Sequence, residues 1–415
     1  MRVRAAEPAP ALAHPATSPV AIAMSTSYET DRPEEPFPRP ESSRVSEPIP
    51  SMPIQAVGES FVRRHPLKLA ASALITVGLV FTLMRGGLKF FPEGGDFAQV
   101  RWWTLPAYIG LCVTMNYFRA VRWRFLLRGL GEFGPRRILA VSWIGFAAIL
   151  LMPFRLGEFV RPMMLREKGK VSLTATTSTV VAERIVDGLY LSIVLALALI
   201  FVPTLDPLPK HVVGLPSIVS VANVRASGFV MLGVFVAAFA SIAVFYFARS
   251  FATKLLRFTV GRVSTQLTDK LLVLFDKFAG GLSMFGNKRD AGGFLFESTL
   301  YWGANALGMW LLAWGCGVHH ADGSAVTFGE SCALMGMLGV TILIPGPPGL
   351  LGVFQAGIFA GMTMYFPERV VLAQGAAFTF LLYAVQFLWT VSAAGYFLVA
   401  DRANMSALKR GLATS

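Results

Sequence analysis

Residues 138–165 read ILAVSWIGFAAILLMPFRLGEFVRPMML, and the reading of this stretch decides the fold. The first 15 residues, 138–152, are apolar, then Pro153, Gly157 and three charged residues interrupt the run at Arg155, Glu158 and Arg161. Fifteen helical residues reach roughly 22 Å at about 1.5 Å per residue, short of a hydrocarbon core about 30 Å thick. A second segment has the same form. Residues 330–344 are apolar, Pro345-Gly346-Pro347-Pro348-Gly349 breaks them, and an apolar run resumes to about 364. Six longer runs, at 67–84, 104–123, 174–202, 226–248, 293–315 and 370–400, are long enough to span.

Lysine and arginine placement settles how the two broken segments are read. Arg119, Arg122, Arg124, Arg128, Arg136 and Arg137 precede the first, and Arg161, Arg166, Lys168 and Lys170 end or follow it. A single crossing would put one of these clusters outside, whereas a re-entrant hairpin keeps both on the cytoplasmic side. The second segment is flanked by His319-His320-Ala321-Asp322 and Pro367-Glu368-Arg369, poor in basic residues, and reads as a hairpin entering from the opposite face. The expected fold is therefore an all-α polytopic membrane protein with about six spanning helices, two oppositely oriented re-entrant hairpins and both termini cytoplasmic. On this scheme the chain from residue 67 has 22 basic residues inside, six outside, and Arg155 and Arg184 within the membrane. Span, hairpin, span then recurs as 104–202 and 293–400, an inverted repeat whose interrupted segments point to a transport site near the midplane.

Composition agrees. The chain of 415 residues is 54% hydrophobic and only 15% charged, against about 25% charged in soluble domains. The net charge of +13 divides into −1 for residues 1–66 and +14 beyond them. It therefore reads as membrane orientation, and no nucleic-acid partner is expected. Residues 1–60 hold 11 of the 25 prolines and read as a disordered cytoplasmic tail with no signal-peptide pattern. The membrane domain is expected over 61–402, with a short cytoplasmic tail at 403–415. Within it, 251–287 mixes leucines and phenylalanines with Lys254, Arg257, Arg262, Lys270 and Lys277, an amphipathic connector suited to an anionic leaflet. Cys112, Cys316 and Cys332 give neither a disulfide framework nor metal-ligand spacing. The stretch 281–288 fails the phosphate-loop pattern, and no nucleophile–base motif stands out. No cofactor, metal or enzymatic activity is expected.

The chemistry-bearing residues lie where charge is expensive. Glu183, Arg184 and Asp187 sit at three- and four-residue spacing inside 174–202. Each costs about 2.5–3.5 kcal/mol near a bilayer centre, so the three should face protein in a network with Arg155 and Glu158 of the hairpin tip, which Arg161 follows shortly after. Two readings stay open and are compatible. These residues pin the hairpin by ion pairs, or Arg155 and Arg184 meet an anionic headgroup while an acid exchanges protons. Arg119, Arg122 and Arg124 around Trp123 are either topology determinants with an interfacial anchor or phosphate gatherers. His319-His320 reads as a loop pair.

These residues also carry a resemblance. Arg119 to Leu127 resembles the R-x-x-R-W-x-x-L-L helix end of the flippase-like family named for the transmembrane region of lysylphosphatidylglycerol synthases. Pro153 to Arg161 resembles its P-x-R-x-G-E-x-x-R, and Glu183 to Asp187 its E-R-x-x-D. Residues 347–355 resemble P-G-G-x-G-x-x-E, which adds Pro348, Gly349, Gly352 and Gln355 to the candidate substrate-binding residues. Leu151-Met152 stands where the family often has Asn, and Gln355 where it has Glu. The resemblance implies a translocase in the cytoplasmic (inner) membrane for a phospholipid or polyprenyl-phosphate-type anionic lipid. Two other roles are weighed: membrane subunit of an aminoacyl-phospholipid synthase, with a separate lipid-modifying partner, and non-transporting assembly factor beside a glycosyltransferase in envelope glycolipid synthesis. Only about 15 residues follow the last span, which speaks against the synthase on this chain.

Overall fold

The computed structural model describes residues 91–413, with gaps at 153–156, 167–170, 218, 248, 263, 267, 270–271, 273–286 and 344–347, together with positions 81 and 85. The Pro-rich tail, the run 67–84 apart from position 81, Arg155 and most of 263–287 lie outside the described residues. The described chain is helical, and two isolated bridges, His211–Ser220 and His319–Ala325, are its extended pairings.

Helix α1 (Thr104–Val121) runs into the short α2 (Trp123–Leu127). Then come α3 (Pro135–Leu151), started by a proline in its first turn, and α4 (Val160–Leu165). Helix α5 (Leu173–Phe201) is capped by Ser172, whose side chain accepts from the Ala175 amide at 3.1 Å. Helices α6 (Val221–Phe247) and α7 (Arg249–Thr259) follow, then α8 (Lys288–Gly315). Helix α9 (Phe328–Ile342) begins with a capping box in which the Glu330 amide donates to Thr327 Oγ1 at 3.3 Å and Glu330 Oε2 accepts from the Thr327 amide at 2.7 Å. Helices α10 (Val353–Thr363), α11 (Glu368–Leu372) and α12 (Gln374–Ala413) complete the order.

Among the described residues three stretches are long and apolar enough to cross a membrane: Leu173–Phe201, Val221–Ser241 and Glu368–Ala400. Two further expected spans exist as α1 and α8, of 18 and 28 residues, but fall outside that group. Helix α1 carries Asn116 and Arg119, and α8 carries Glu297 and Ser298, which dilute their apolar character. Only 6% of the apolar stretch of α6 is buried, against 44% for α5, so α6 is a peripheral helix whose surface is largely apolar beyond Arg225.

The described helices on either side of each break pack on one another, and glycines set how closely they approach. A Cβ on Gly145 would collide with the Arg161 side chain, and one on Gly157 with the Ala148–Ile149 backbone, so α3 runs back against the 157–165 arm. In the second hairpin Gly357 meets Leu338 and Thr341 while Gly361 meets Leu334 and Met337. The same close approach holds α1 to α8: Gly308 lies on Tyr108 and Gly315 on Thr104, an antiparallel register. Helix α5 packs on α9, and α12 packs on α3. Exchanging the two span–hairpin–span units leaves this set of neighbours unchanged.

Gly157→Ala should destabilise the protein by about 1–3 kcal/mol, the usual cost of overpacking, because backbone cannot yield as a side-chain tip can. Thermal unfolding in detergent checks this. Gly303, which meets nothing within 4 Å, should accept Ala with little change.

Candidate functional site

Helices α1, α4, α5 and α8 converge on a buried ion cluster. Arg122, at the joint between α1 and α2, is fully buried. Its Nη1 and Nη2 donate to Asp187 Oδ1 and Oδ2 at 2.6 and 2.7 Å, a two-pronged pair. The same guanidinium donates to Glu183 Oε1 at 3.1 Å and to Ser298 Oγ at 3.0 Å. Arg161 Nη1 donates to Glu183 Oε2 at 2.8 Å, and Arg184 lies 3.3 Å from Glu183 and 3.5 Å from Asp187. Trp302 Nε1 donates to Asp187 Oδ1 at 3.3 Å. Every carboxylate oxygen of Glu183 and Asp187 thus already accepts a hydrogen bond, which leaves neither acid an uncommitted oxygen for a travelling proton.

Aromatic rings close the cluster from the sides. The Arg161 guanidinium lies 4.0 Å from the Trp123 ring, and Arg122 lies 4.9 Å from Tyr301 and 5.3 Å from Phe294. Trp123 Nε1 donates to Thr179 Oγ1 at 3.0 Å, fixing α2 against α5. One turn further on, Arg124 pairs with Glu297 and Arg128 with Asp290, both at the more exposed end of α8.

A cavity of about 590 Å³ opens beside the cluster, between the two hairpins. Ile149, Leu150 and Glu158 line it from the first hairpin, and Leu338, Gly349 and Leu350 from the second. Its polar wall is made by Arg119, Arg184 and Asp187, while Met231, Phe235 and Met335 form apolar wall. Arg119 lies 4.0 Å from the Phe146 ring and has no hydrogen-bond partner among the described residues. Arg184 is 24% exposed where Arg122 and Arg161 are sealed, so among the described residues Arg119 and Arg184 are the guanidiniums that face the space.

The candidates named from sequence therefore separate. Arg122, Arg161, Glu183 and Asp187 form the sealed cluster, with Arg184 at its edge. Arg119, Glu158, Arg184, Gly349 and one side of Asp187 reach the cavity, and Arg155 lies outside the described residues. Gln355 is buried and its Oε1 accepts from the Gly352 amide at 2.8 Å, so it caps α10 and does not line the cavity. An amide oxygen does this as a carboxylate would. Gly349 (φ 75°) and Gly352 (φ 86°) hold the left-handed backbone of the turn, with Pro348 beside them, and Tyr383 Oη donates to the Gly349 carbonyl at 2.7 Å. Sequence reasoning passed over Asn305, Tyr383 and Gln386 on the cavity wall, although polar groups inside long apolar runs are a usable signal.

The lysylphosphatidylglycerol synthase TM region family matches residues 60–395, and the chain belongs to that family. It is a membrane-embedded domain linked to lipid handling. No curated protein and no solved structure matches the chain.

Removing Arg122 strands two carboxylates in apolar surroundings. Arg122→Gln should cost about 3–5 kcal/mol, read as a lower Tm in detergent. Combining it with Asp187→Asn should recover part of that loss; equal Tm for wild type and Arg122→Gln would remove the cluster from the folding argument.

Proposed function

We propose that the chain is a lipid translocase, binding the phosphate of an anionic membrane lipid between Arg119 and Arg184 and carrying it between leaflets without nucleotide chemistry of its own. The observation that supports this most directly is the charge sorting around the cavity. Arg122 and Arg161 neutralise Glu183 and Asp187 within the sealed cluster, while Arg119 has a buried Nε without a hydrogen-bond partner among the described residues and Arg184 turns one side to the cavity. A guanidinium stays charged and offers forked donors that suit a phosphodiester. The apolar wall formed by Phe235, Met231 and Met335 suits the acyl or prenyl stem of the same molecule.

In this reading the hairpins are re-entrant from opposite faces of the inner membrane, six helices span, and both termini are cytoplasmic. The antiparallel α1–α8 pair supports it, because a twofold relating two antiparallel helices lies perpendicular to them, in the membrane plane. Binding, not bond-making, is the role assigned to the residues of the cavity.

Purified protein in liposomes with a labelled anionic lipid tests the carrier role. Arg119→Ala and Arg184→Ala should each slow transfer about tenfold or more, the worth of a charge-assisted hydrogen bond, while eluting as the wild type does. Arg119→Lys should restore transfer only in part, since an ammonium lacks the planar fork. Unchanged transfer in both alanine variants would refute the phosphate assignment. For orientation, Arg136→Cys should be labelled only from the cytoplasmic side and Ser324→Cys only from the other, in a background lacking Cys112, Cys316 and Cys332.

A further inference from the structure

We infer that α7 is an interfacial helix that docks on the anionic lipid surface of the membrane, a contact separate from the cavity and independent of what the cavity carries. Residues 249–262 hold four basic residues and no acid, and no Asp or Glu occurs between Asp206 and Asp269. At about 3.6 residues per turn, the Phe, Leu and Ala positions of Arg249–Thr259 fall on one half of the helix, and Ser250, Thr253, Lys254 and Arg257 on the other. Phe251 and Phe258 are each 59% exposed, where an apolar half packed into the protein would be covered. Lys254, Arg257 and Arg262 are exposed and form no ion pair among the described residues. The Arg262 guanidinium lies 3.9 Å over the Phe258 ring, which puts a cation and a ring at one level.

The place of α7 in the chain selects the occupant. Helix α6 ends at Phe247 and α7 begins at Arg249, so α7 starts where a helix apolar enough to cross a membrane leaves it. Exposed rings at that boundary have lipid within reach before any soluble partner arrives. With the apolar half sunk between headgroups and acyl chains, the basic half stays level with the phosphates. Cations with no acid among them favour an anionic leaflet over a zwitterionic one, each changing the docking equilibrium about fivefold near such a surface. The contact also has a structural consequence. Protein covers only 6% of the apolar stretch of α6, so a surface contact at its end constrains a helix that packing holds loosely.

The experiment uses the full chain in nanodiscs of phosphatidylcholine, with and without phosphatidylglycerol, in a background lacking Cys112, Cys316 and Cys332. A fluorophore at Phe251→Cys or at Ser250→Cys is quenched by a lipid carrying a nitroxide just below its headgroup. Quenching at 251 should exceed that at 250 and should rise when phosphatidylglycerol is present. Phe258→Cys repeats the measurement with the Phe251 ring intact. In Lys254→Gln/Arg257→Gln the docking equilibrium should fall about fivefold for each cation removed, read as lost quenching at 251, and added salt should weaken docking of the parent in the same direction. Monodisperse elution confirms folded protein throughout. Equal quenching at 250 and 251, or none at 251 and 258 in either membrane, overturns the inference. Quenching indifferent to phosphatidylglycerol overturns the anionic assignment. A label at 251 shielded in native vesicles yet unquenched in nanodiscs gives the face to a protein partner and overturns it as well. None of these readouts involves transfer through the cavity, so the carrier reading can fail or stand without deciding this one.

Discussion

The pairing of Arg122 with Asp187 and Glu183 is the constraint around which the described bundle is arranged. Two carboxylates on one apolar helix are each expensive in a bilayer interior, and a single surface contact would not offset that. The forked Arg122 pair, the Arg161 pair and the Trp302 donor together occupy every oxygen of both acids. The α1–α2 joint, the returning arm of the first hairpin, α5 and α8 must therefore meet at one point. Aromatic faces of Trp123, Tyr301 and Phe294 exclude water there and keep the electrostatic attraction strong.

The cavity follows from the same arrangement. Glycine contacts bring the hairpin arms and the α1–α8 pair to close range, which fixes helix positions rigidly around a space that the side chains do not fill. The wall turned towards that space carries Arg119 and Arg184 alongside Glu158 and Asp187, and Asp187 is already held by Arg122. A structural ion cluster and a ligand-binding wall are thus two faces of one feature, and the pinning reading and the headgroup reading of these residues describe its inner and outer sides. The pattern in which α5 packs on α9 as α12 packs on α3 places both hairpins beside this space.

Much of the fold was legible as pattern. The apolar stretch 138–152 became α3, 330–344 became α9, and the expected run to 364 became α10. Proline and glycine mark the breaks because they cannot continue the hydrogen-bond ladder or resist unusual backbone angles. The spacing of Glu183, Arg184 and Asp187 correctly put them together. Less legible was the division of labour among the arginines. Sequence drew attention to Arg155 and Arg184 as the two unplaced by loop counting, and treated Arg122 together with Arg119 and Arg124 at a helix end. Gln355 read as a lost acid of the site, whereas its side chain closes the first turn of α10.

What the sequence by itself determined is local: where helices run and stop, which runs are too short to cross a bilayer, and that a few charges lie among apolar neighbours. These depend on periodicity and composition over one or two turns. Tertiary structure alone decided which arginine is sealed. Arg122 and Arg124 are two residues apart, about 200° around a helix at about 3.6 residues per turn. One therefore reaches Asp187 in the interior and the other pairs with Glu297 at the rim. Nothing in the surrounding Trp123-Arg124-Phe125-Leu126-Leu127 distinguishes the two faces, since that turn is apolar on every side. Only the arrival of α5, 61 and 65 residues later at Glu183 and Asp187, supplies the partner that makes one of them interior.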